Sequence, residues 1–352
     1  MRKLDRYIGK TVALSMLMVL FVLMGLDLIF SFIAETEELE GDYQLMEALI
    51  YVLTTLPRRI YEIIPLVSLI GCLAGLGILA SGSELVVMRA AGVSIVRIVW
   101  SVMKPTLFVI TVGLLLGQYL APFTEQVAQS QKAKQQGVGL GNSKGHWHRD
   151  GDTYMHLNAV EPGGVLFGIT RYEFDDEHKL VQASQAKRAI FQGDHWVLED
   201  VVVTDIGDGG TRSFRFKTQR WNTEQLDPDL LKFVVSDPDD LAITDLYGYA
   251  RYLAEQGVSS GSYLLAFWKK ATQPLATAVL VWVAIAFIFG PLRTQTMGFR
   301  IFMGVIVGLV FKYVQDLLGP ASLVFGFQPA YASIIPIIIC FVVGSIFVKR
   351  AG

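Results

Sequence analysis

The stretch Thr11–Ile33, TVALSMLMVLFVLMGLDLIFSFI, decides the class of this chain, and its only charged residue is Asp27. A bilayer core about 30 Å thick needs roughly 20 apolar residues of α-helix to cross it. The run is too long for the apolar region of a cleavable signal peptide, and it has no small-residue cleavage site. It therefore predicts a permanent membrane-spanning helix.

Five further apolar segments meet the same criterion. They are Leu45–Ala80, Val99–Ala121, Tyr263–Gly290, Ile301–Leu318 and Ala330–Val348. Leu45–Ala80 is too long, because at 1.5 Å per residue it would extend about 54 Å. It must either tilt strongly or project beyond the bilayer. The chain thus has six predicted spans, in keeping with a composition that is 52% hydrophobic and 18% charged.

Basic residues predict the orientation of the spans. If the spans alternate, one side receives Arg2, Lys3, Arg6, Lys10, Arg89, Arg97, Arg293, Arg300, Lys349 and Arg350. The loop after the first span, on the opposite side, is acidic. We therefore expect both termini in the cytoplasm and the large segment after the third span outside it. The net charge of -2 suggests no nucleic-acid partner.

The middle of the chain changes to an alternation of apolar and polar residues that is typical of β-strands. The predicted strands are Asp152–Val160, Val165–Phe174, Leu180–Phe191, His195–Asp205 and Thr211–Trp221. Turn-forming clusters separate them, and no helical crossovers lie between them, so the sheet is expected to be antiparallel: a sandwich, a barrel or a jelly roll. The polar stretch Glu125–Gly141 is expected to link this domain to the third span.

A short helix is predicted after the strands, because Leu246, Tyr249, Ala250 and Leu253 repeat at helical spacing and Gly257 can end it. It is amphipathic, and we expect it on the outer membrane face. The domain division is then residues 1–124 with three spans and a cytoplasmic helix at about 81–97, residues 125–240 with the β-domain and its linker, and residues 241–352 with the amphipathic helix and three spans.

Candidate catalytic and metal sites are weak. The chain has no GxxxxGK[ST] sequence, so no ATP binding through a P-loop is expected. The GxSxG match at 257–261 lies between two helices, whereas a nucleophile elbow needs a strand-to-helix turn. His146, His148 and His156 are close in sequence but lack a completing ligand, which favours surface histidines over a metal site. We therefore expect a non-catalytic chain without a cofactor.

Three GxxxG pairs lie in the predicted spans: Gly71/Gly75, Gly113/Gly117 and Gly304/Gly308. Small residues four positions apart let helix backbones approach closely. The pattern fits packing within the chain and packing against a partner subunit equally well.

Charged residues inside spans are functional candidates because they are costly there. Lys312 and Asp316 can neutralise each other one helical turn apart. Arg58 and Arg59 can either snorkel to headgroups or bind an anionic ligand, since a guanidinium group pairs with phosphate through two hydrogen bonds.

The loop Ser81–Gly92, SGSELVVMRAAG, follows the second span and reads as a helix with a capping box from Ser81 to Glu84. Glu84 can serve only as a cap, or the helix can dock in a groove of a cytoplasmic partner with Glu84 pairing a partner arginine. Local physics leaves both open.

Three stretches resemble the lipopolysaccharide export permease family of the YjgP/YjgQ (LptF/LptG) type. They are LDRYIGKT at Leu4–Thr11, SELVVM at Ser83–Met88, and FIFGPLR at Phe287–Arg293 with Met297 and Gly298. The resemblance covers the whole chain, and its amino-terminal stretch favours the LptG branch over the LptF branch.

The resemblance implies a bacterial inner-membrane permease with a periplasmic β-jelly roll. It implies that two paralogous permease subunits form an outward-facing cavity for lipopolysaccharide, and that a single-span subunit similar to LptC receives the lipid. An ATPase dimer similar to LptB would bind the ATP and dock on the helix after the second span. The residues implied to couple to it are Ser83, Glu84, Leu85 and Met88.

Phe30, Ile63, Phe311 and Lys312 are our candidate cavity residues. Some relatives carry lysines at the outer end of the first span, where this chain has Glu35, Glu37 and Glu38, so Arg58 and Arg59 become the better candidates for the lipid phosphates. A secondary transporter would need an ion relay, for which only Lys312 and Asp316 qualify. A structural scaffold for a β-domain would not need a cytoplasmic docking helix.

Overall fold

The structure is a computed structural model that describes residues 2–39, 41–136, 146–150, 153–161, 165–175, 179–207, 210–221, 237–255, 259–290 and 295–351. It divides into two compact units. The helical unit comprises Met1–Ile29, Pro57–Leu120 and Ala242–Gly352, and the sheet unit comprises Phe30–Leu56 and Ala121–Leu241.

Six helices in the described part of the chain are long and apolar enough to cross a membrane, as predicted. They belong to an element order that begins with α1 (Arg2–Thr36), α2 (Leu45–Thr54), α3 (Leu56–Ser81), α4 (Glu84–Ala90), α5 (Ile95–Leu115) and α6 (Ala121–Gln136). After the strands come α7 (Ile243–Glu255), α8 (Gly261–Phe289), α9 (Met297–Phe325) and α10 (Pro329–Ala351). The spanning helices are α1, α3, α5 with its continuation, α8, α9 and α10.

The overlong second span is two helices rather than one tilted helix. It breaks at Thr55, whose hydroxyl donates to the carbonyl of Val52 at 3.1 Å. Pro57 then lies in the first turn of α3, where its missing N–H costs no helical hydrogen bond. Only α3 has the length of a span, so the excess length is a separate ten-residue helix.

The polar linker predicted at Glu125–Gly141 is helical as far as Gln136. After α5 the chain passes through a π-helical turn, Leu116–Leu120, and continues directly as α6. The segment to Gln136 is polar but contains no Gly or Pro and is rich in Ala, Gln and Lys, which favour a helix. Residues 137–145 lie outside the described part.

Helix α3 is the centre of the helical unit, and all three GxxxG pairs pack against it or belong to it. A Cβ on Gly71 would stand 2.5 Å from the Cα of Met16 in α1. Gly117 leaves room for the ring of Tyr61 and Gly304 for Leu73, both in α3. The glycines therefore serve packing within the chain, which settles the alternative that their spacing left open.

A proline in α3 creates a polar contact at the centre of this unit. Pro65 has no N–H to donate to the carbonyl four residues earlier, which belongs to Tyr61. The side-chain amide of Gln273 in α8 donates to that carbonyl at 2.7 Å. This contact satisfies a backbone acceptor that bilayer lipid could not.

The inserted sheet is antiparallel, as predicted, and its strands follow one another in chain order. They are β1 (His146–Asp150), β2 (Thr153–Glu161), β3 (Val165–Phe174), β4 (Leu180–Phe191), β5 (Trp196–Gly207) and β6 (Gly210–Trp221). Strand β1 was not predicted, since HWHRD has no apolar alternation, yet it pairs with β2 from His146↔Leu157 to Asp150↔Thr153. The described strands form a single sheet.

The sheet has a hydrophobic core, with Trp196, Leu198, Val201 and Leu157 among the buried side chains. In β5 the buried residues alternate in two sets, Trp196 with Leu198 and Val201 with Val203, on either side of Asp200, which has a positive φ of 51°. The amphipathic helix is also confirmed as α7, with Leu246, Tyr249 and Ala250 buried. Gly257, its predicted end, lies outside the described residues.

Candidate functional site

The loop between α3 and α5 contains the seven-residue helix α4. The predicted capping box is absent: Ser81 donates instead to the carbonyl of Ile78 at 2.9 Å. The residue that precedes α4 is Ser83, which has a positive φ of 59° and makes no side-chain cap. Glu84 is the first helical residue, so the prediction placed the helix start three residues too early, and α4 ends at Ala90 rather than extending to Arg97.

The predicted coupling residues do not share one face of α4. Leu85 and Met88 are buried in the core of the helical unit. Val86 and Val87 point outward, and the side chain of Val87 is 66% exposed. The outward face is therefore small: Val86 and Val87 lie at its centre, Ser83 and Glu84 at its beginning and the exposed Arg89 at its end.

The first turns of α1 hold both ends of this loop. The hydroxyl of Tyr7 donates to Oε1 of Glu84 at 3.2 Å. Two residues earlier, Asp5 accepts two hydrogen bonds from the guanidinium of Arg97, at 2.9 and 3.0 Å. Arg97 lies in the first turn of α5. The LDRYIGKT stretch thus supplies two side chains that fix α4 and the start of α5.

A buried arginine supports the same region from α9. Arg300 is almost completely buried, and its guanidinium donates to the carbonyl of Gly77 at 3.2 Å. Gly77 lies one turn before the end of α3 at Ser81, and α4 begins at Glu84. The residue therefore ties α9 to the helix that leads into the loop.

The intramembrane charges have partners that the sequence analysis did not name, one on the same helix and two on neighbouring helices. Arg58 pairs with Glu62 at 2.9 Å, and Arg59 pairs with Asp27 of α1 at 3.1 Å. Asp316 lies 3.6 Å from Lys269 of α8. The predicted pair between Lys312 and Asp316 is therefore wrong, because Asp316 is matched by a neighbouring helix instead.

Lys312 is exposed on α9 and forms no ion pair or hydrogen bond with any described residue. Its neighbours on the helix surface include Tyr313 and Val310, both exposed. Of the other candidate cavity residues, Phe311 is buried and Ile63 is partly buried in the helical core. Phe30, in the sheet unit, is exposed.

The sheet unit contains a cluster that the sequence analysis missed. The ammonium group of Lys132 in α6 contacts Glu35 at the end of α1 and Glu38 at 2.6 Å. Tyr43 donates to Glu35 at 2.8 Å, and the rings of Tyr43 and Tyr51 lie 5.4 and 4.8 Å from the ammonium nitrogen. Burial and the hydrogen bond to Glu35 raise the pKa of Tyr43, so its hydroxyl remains a donor.

This cluster explains two of the three glutamates at the end of the first span. Glu35 and Glu38 are matched by Lys132, which lies in the stretch that was interpreted as a linker. Had Glu125–Gln136 been interpreted as a helix, the lysine would have been a candidate partner for the acidic loop.

The three histidines that were considered as a metal site lie in the first two strands. His146 and His148 lie in β1, and His156 of β2 faces Trp147 of β1 across the strand pair.

Comparison with known proteins finds similarity to one family over almost the whole chain. The family model "Lipopolysaccharide export system permease LptF/LptG" matches residues 6–350. The chain is 35% identical over 342 residues to the lipopolysaccharide export system permease protein LptG of Escherichia coli, covering 95% of this chain and 94% of that protein. It is also 35% identical over 338 residues, with the same coverage, to the LptG protein of Haemophilus influenzae.

Proposed function

Because the chain belongs to the lipopolysaccharide export system permease family LptF/LptG, we propose that it is the membrane permease subunit of an ABC-type transporter. It extracts lipopolysaccharide from the inner membrane and passes it to a periplasmic β-jelly-roll bridge. Each CH₂ group that leaves an apolar environment for water costs about 0.8 kcal/mol, so a lipid with several acyl chains costs tens of kcal/mol to expose. Extraction therefore needs apolar walls and an energy source.

The observation that carries the proposal is the outward face of α4. Its exposed valines adjoin the carboxylate of Glu84, and this pattern suits insertion into a groove that offers a cation. The chain has no P-loop sequence, so the ATP would be bound and hydrolysed by a cytoplasmic ATPase dimer similar to LptB. A paralogous permease subunit similar to LptF and a single-span subunit similar to LptC complete the proposed assembly.

The proposed orientation follows from the basic residues. Both termini and α4 lie in the cytoplasm, and the sheet lies in the periplasm. In this arrangement the ATPase meets α4 directly, and the sheet is placed to receive the lipid. This chain itself is non-catalytic.

In the helical unit the proposed lipid path uses Ile63 for acyl chains and cationic groups for the phosphates, whereas Phe311 is buried in the core and Phe30 belongs to the sheet unit. Arg58 and Arg59 were the first candidates, and both already have carboxylates within the chain. Lys312 has none among the described residues, so it is the stronger candidate. Charge reversal at Lys312 should reduce lipid crosslinking more than charge reversal at Arg58 and Arg59.

The test is copurification of an ATPase subunit with the tagged chain, before and after Glu84→Ala. We expect the substitution to reduce the amount of ATPase recovered and to stop lipopolysaccharide export. Glu37→Ala is the matched control, since Glu37 is an exposed glutamate in the acidic loop on the proposed periplasmic side. Normal recovery and normal export in the Glu84 variant would contradict the proposed docking.

A further inference from the structure

The helical unit contains an apolar pocket that none of the proposed functional residues line. Its volume is about 430 Å³, within the range of about 300–1,000 Å³ that is usual for ligand pockets. Val99 and Met103 of α5, Trp282 of α8 and Phe341 of α10 are among its walls. We propose that this pocket holds one acyl chain of a phospholipid from the cytoplasmic leaflet.

The length of the pocket along the helices matches the thickness of one leaflet. Val99 lies four residues after the start of α5, about 6 Å into that helix. Leu275 and Ile337 lie 14 residues before the ends of α8 and α10, about 21 Å into those helices from the same side. The lining therefore extends for about 15 Å, which is half of the roughly 30 Å hydrocarbon core.

The chemistry of the pocket admits a hydrocarbon chain and excludes polar groups. Its exposed lining is entirely apolar. A sugar, a phosphate or an ion placed there would lose its hydration without receiving a hydrogen bond or a counter-charge from the walls. An acyl chain loses nothing on entry, because it exchanges one apolar environment for another.

The pocket also opens to the surface that lipid would cover. Leu275, Ile338 and Phe341 line it and are each about half exposed. A chain can therefore enter sideways from the bilayer while its headgroup stays at the membrane surface. No tunnel through the protein is needed.

Two features favour a phospholipid of the cytoplasmic leaflet over the exported lipid. The pocket begins near the end of α5 that follows α4, which the proposed function places in the cytoplasm, and the inference rests on that orientation. Phe30, Ile63, Phe311 and Lys312, the candidate cavity residues for lipopolysaccharide, are absent from its lining. The pocket is thus a separate site.

Fluorescence quenching tests the inference, because Trp282 is part of the wall. The purified full chain in detergent is titrated with phosphatidylglycerol that carries a dibrominated stearoyl chain. We expect a saturable quenching component from one lipid per chain, which disappears in Trp282→Phe. Trp100, exposed on α5, reports the unsaturable partitioning of lipid into the micelle.

A matched pair of substitutions separates the pocket from the outer surface. Ala278→Phe fills the pocket and should weaken the saturable component at least about tenfold. Val342→Phe adds the same ring at an exposed position of α10 and should leave it unchanged. Both variants are checked by size-exclusion chromatography.

Several outcomes would overturn the inference. Quenching that never saturates, or that is equal in Ala278→Phe and the wild type, shows that no chain is held. If Ala278→Phe does not fold, competition in the wild type decides: unbrominated phosphatidylglycerol should restore the fluorescence, and restoration by lipopolysaccharide alone would assign the site to the exported lipid. ATPase copurification is independent of this titration, so its failure would be recognised separately.

Discussion

Two clusters of charged side chains hold helices together in this chain, and they differ in how far water reaches them. In the helical unit, Tyr7 contacts Glu84 in an exposed environment, and Asp5 with Arg97 is partly exposed. In the sheet unit, the side chains of Lys132 and Glu35 are only 13% and 11% exposed. The first cluster is solvated and the second is largely desolvated.

The difference indicates which cluster can exchange partners. Exposed ion pairs contribute little to stability, so a carboxylate such as that of Glu84 can change its partner at small cost. A buried pair has already lost its hydration, and removal of one member leaves a charge that nothing compensates. The Glu84 cluster therefore suits docking, whereas the Lys132 cluster suits a fixed connection between α1 and α6.

The largest effect is expected from Lys132→Met, which leaves Glu35 buried without its cation. The sheet unit should lose about 3–5 kcal/mol of unfolding free energy. Unfolding can be followed by tryptophan fluorescence, since Trp196 is buried in the sheet core. Labelling of the buried thiol of Cys72 reports the helical unit, which should change little.

The control is Lys217→Met, at an exposed position of β6, which should change the stability by no more than about 0.5 kcal/mol. The double variant Lys132→Met, Glu35→Gln should recover part of the loss, because it removes both charges together. If the double variant is as unstable as the sum of the two single variants, the buried pair is not the cause.

The fold was predictable where one local property decides it. Six spans follow from apolar length, and an antiparallel sheet follows from alternation without helical crossovers. Apolar length did not predict the break at Thr55, because the break is set by the hydroxyl of Thr55 and by Pro57. Strand β1 was missed because its sequence has no apolar alternation, and only its backbone pairing with β2 makes it a strand.

The candidate site was predictable only in part. Glu84 was identified as a candidate through a resemblance. Its hydrogen-bond partner Tyr7 was not identified, because it lies 77 positions away in the sequence. Lys132 and Glu35 are 97 positions apart. Such pairs depend on how the helices pack, and helix packing cannot be derived from the spacing or the composition of the sequence. The one pair that was predicted from spacing, Lys312 with Asp316, was wrong because Lys269 on another helix is the partner.

A smaller effect is expected from Tyr7→Phe. The variant removes the hydroxyl that fixes the carboxylate of Glu84 and leaves the ring in place. Glu84 then samples more rotamers before docking, so recovery of the ATPase should fall by about two- to tenfold, the range for loss of one hydrogen bond. Titration of the immobilised permease with the ATPase measures this loss of affinity.

Tyr313→Phe is the control, because Tyr313 is also an exposed tyrosine but lies on α9. Equal ATPase affinity in both variants would show that Tyr7 does not position Glu84. Stronger binding in Tyr7→Phe would show that the hydroxyl competes with the partner instead of preparing the carboxylate for it.

The smallest effect is expected from Asp5→Asn, and its dependence on salt sharpens the contrast between the clusters. The Debye length falls from about 10 Å at 0.1 M salt to about 3 Å at 1 M, so an exposed pair loses most of its attraction over that range while a buried pair loses little. Asp5→Asn should therefore lower the unfolding temperature of the helical unit slightly at low salt and not measurably at high salt, as followed by Cys72 labelling. The loss of stability in Lys132→Met should persist at both salt concentrations, because water and ions reach only a small part of the Lys132 side chain. A deficit of Asp5→Asn that survives high salt would mean that its two hydrogen bonds to Arg97 act as a fixed structural contact, and the start of α5 would then belong with the Lys132 cluster rather than with Glu84.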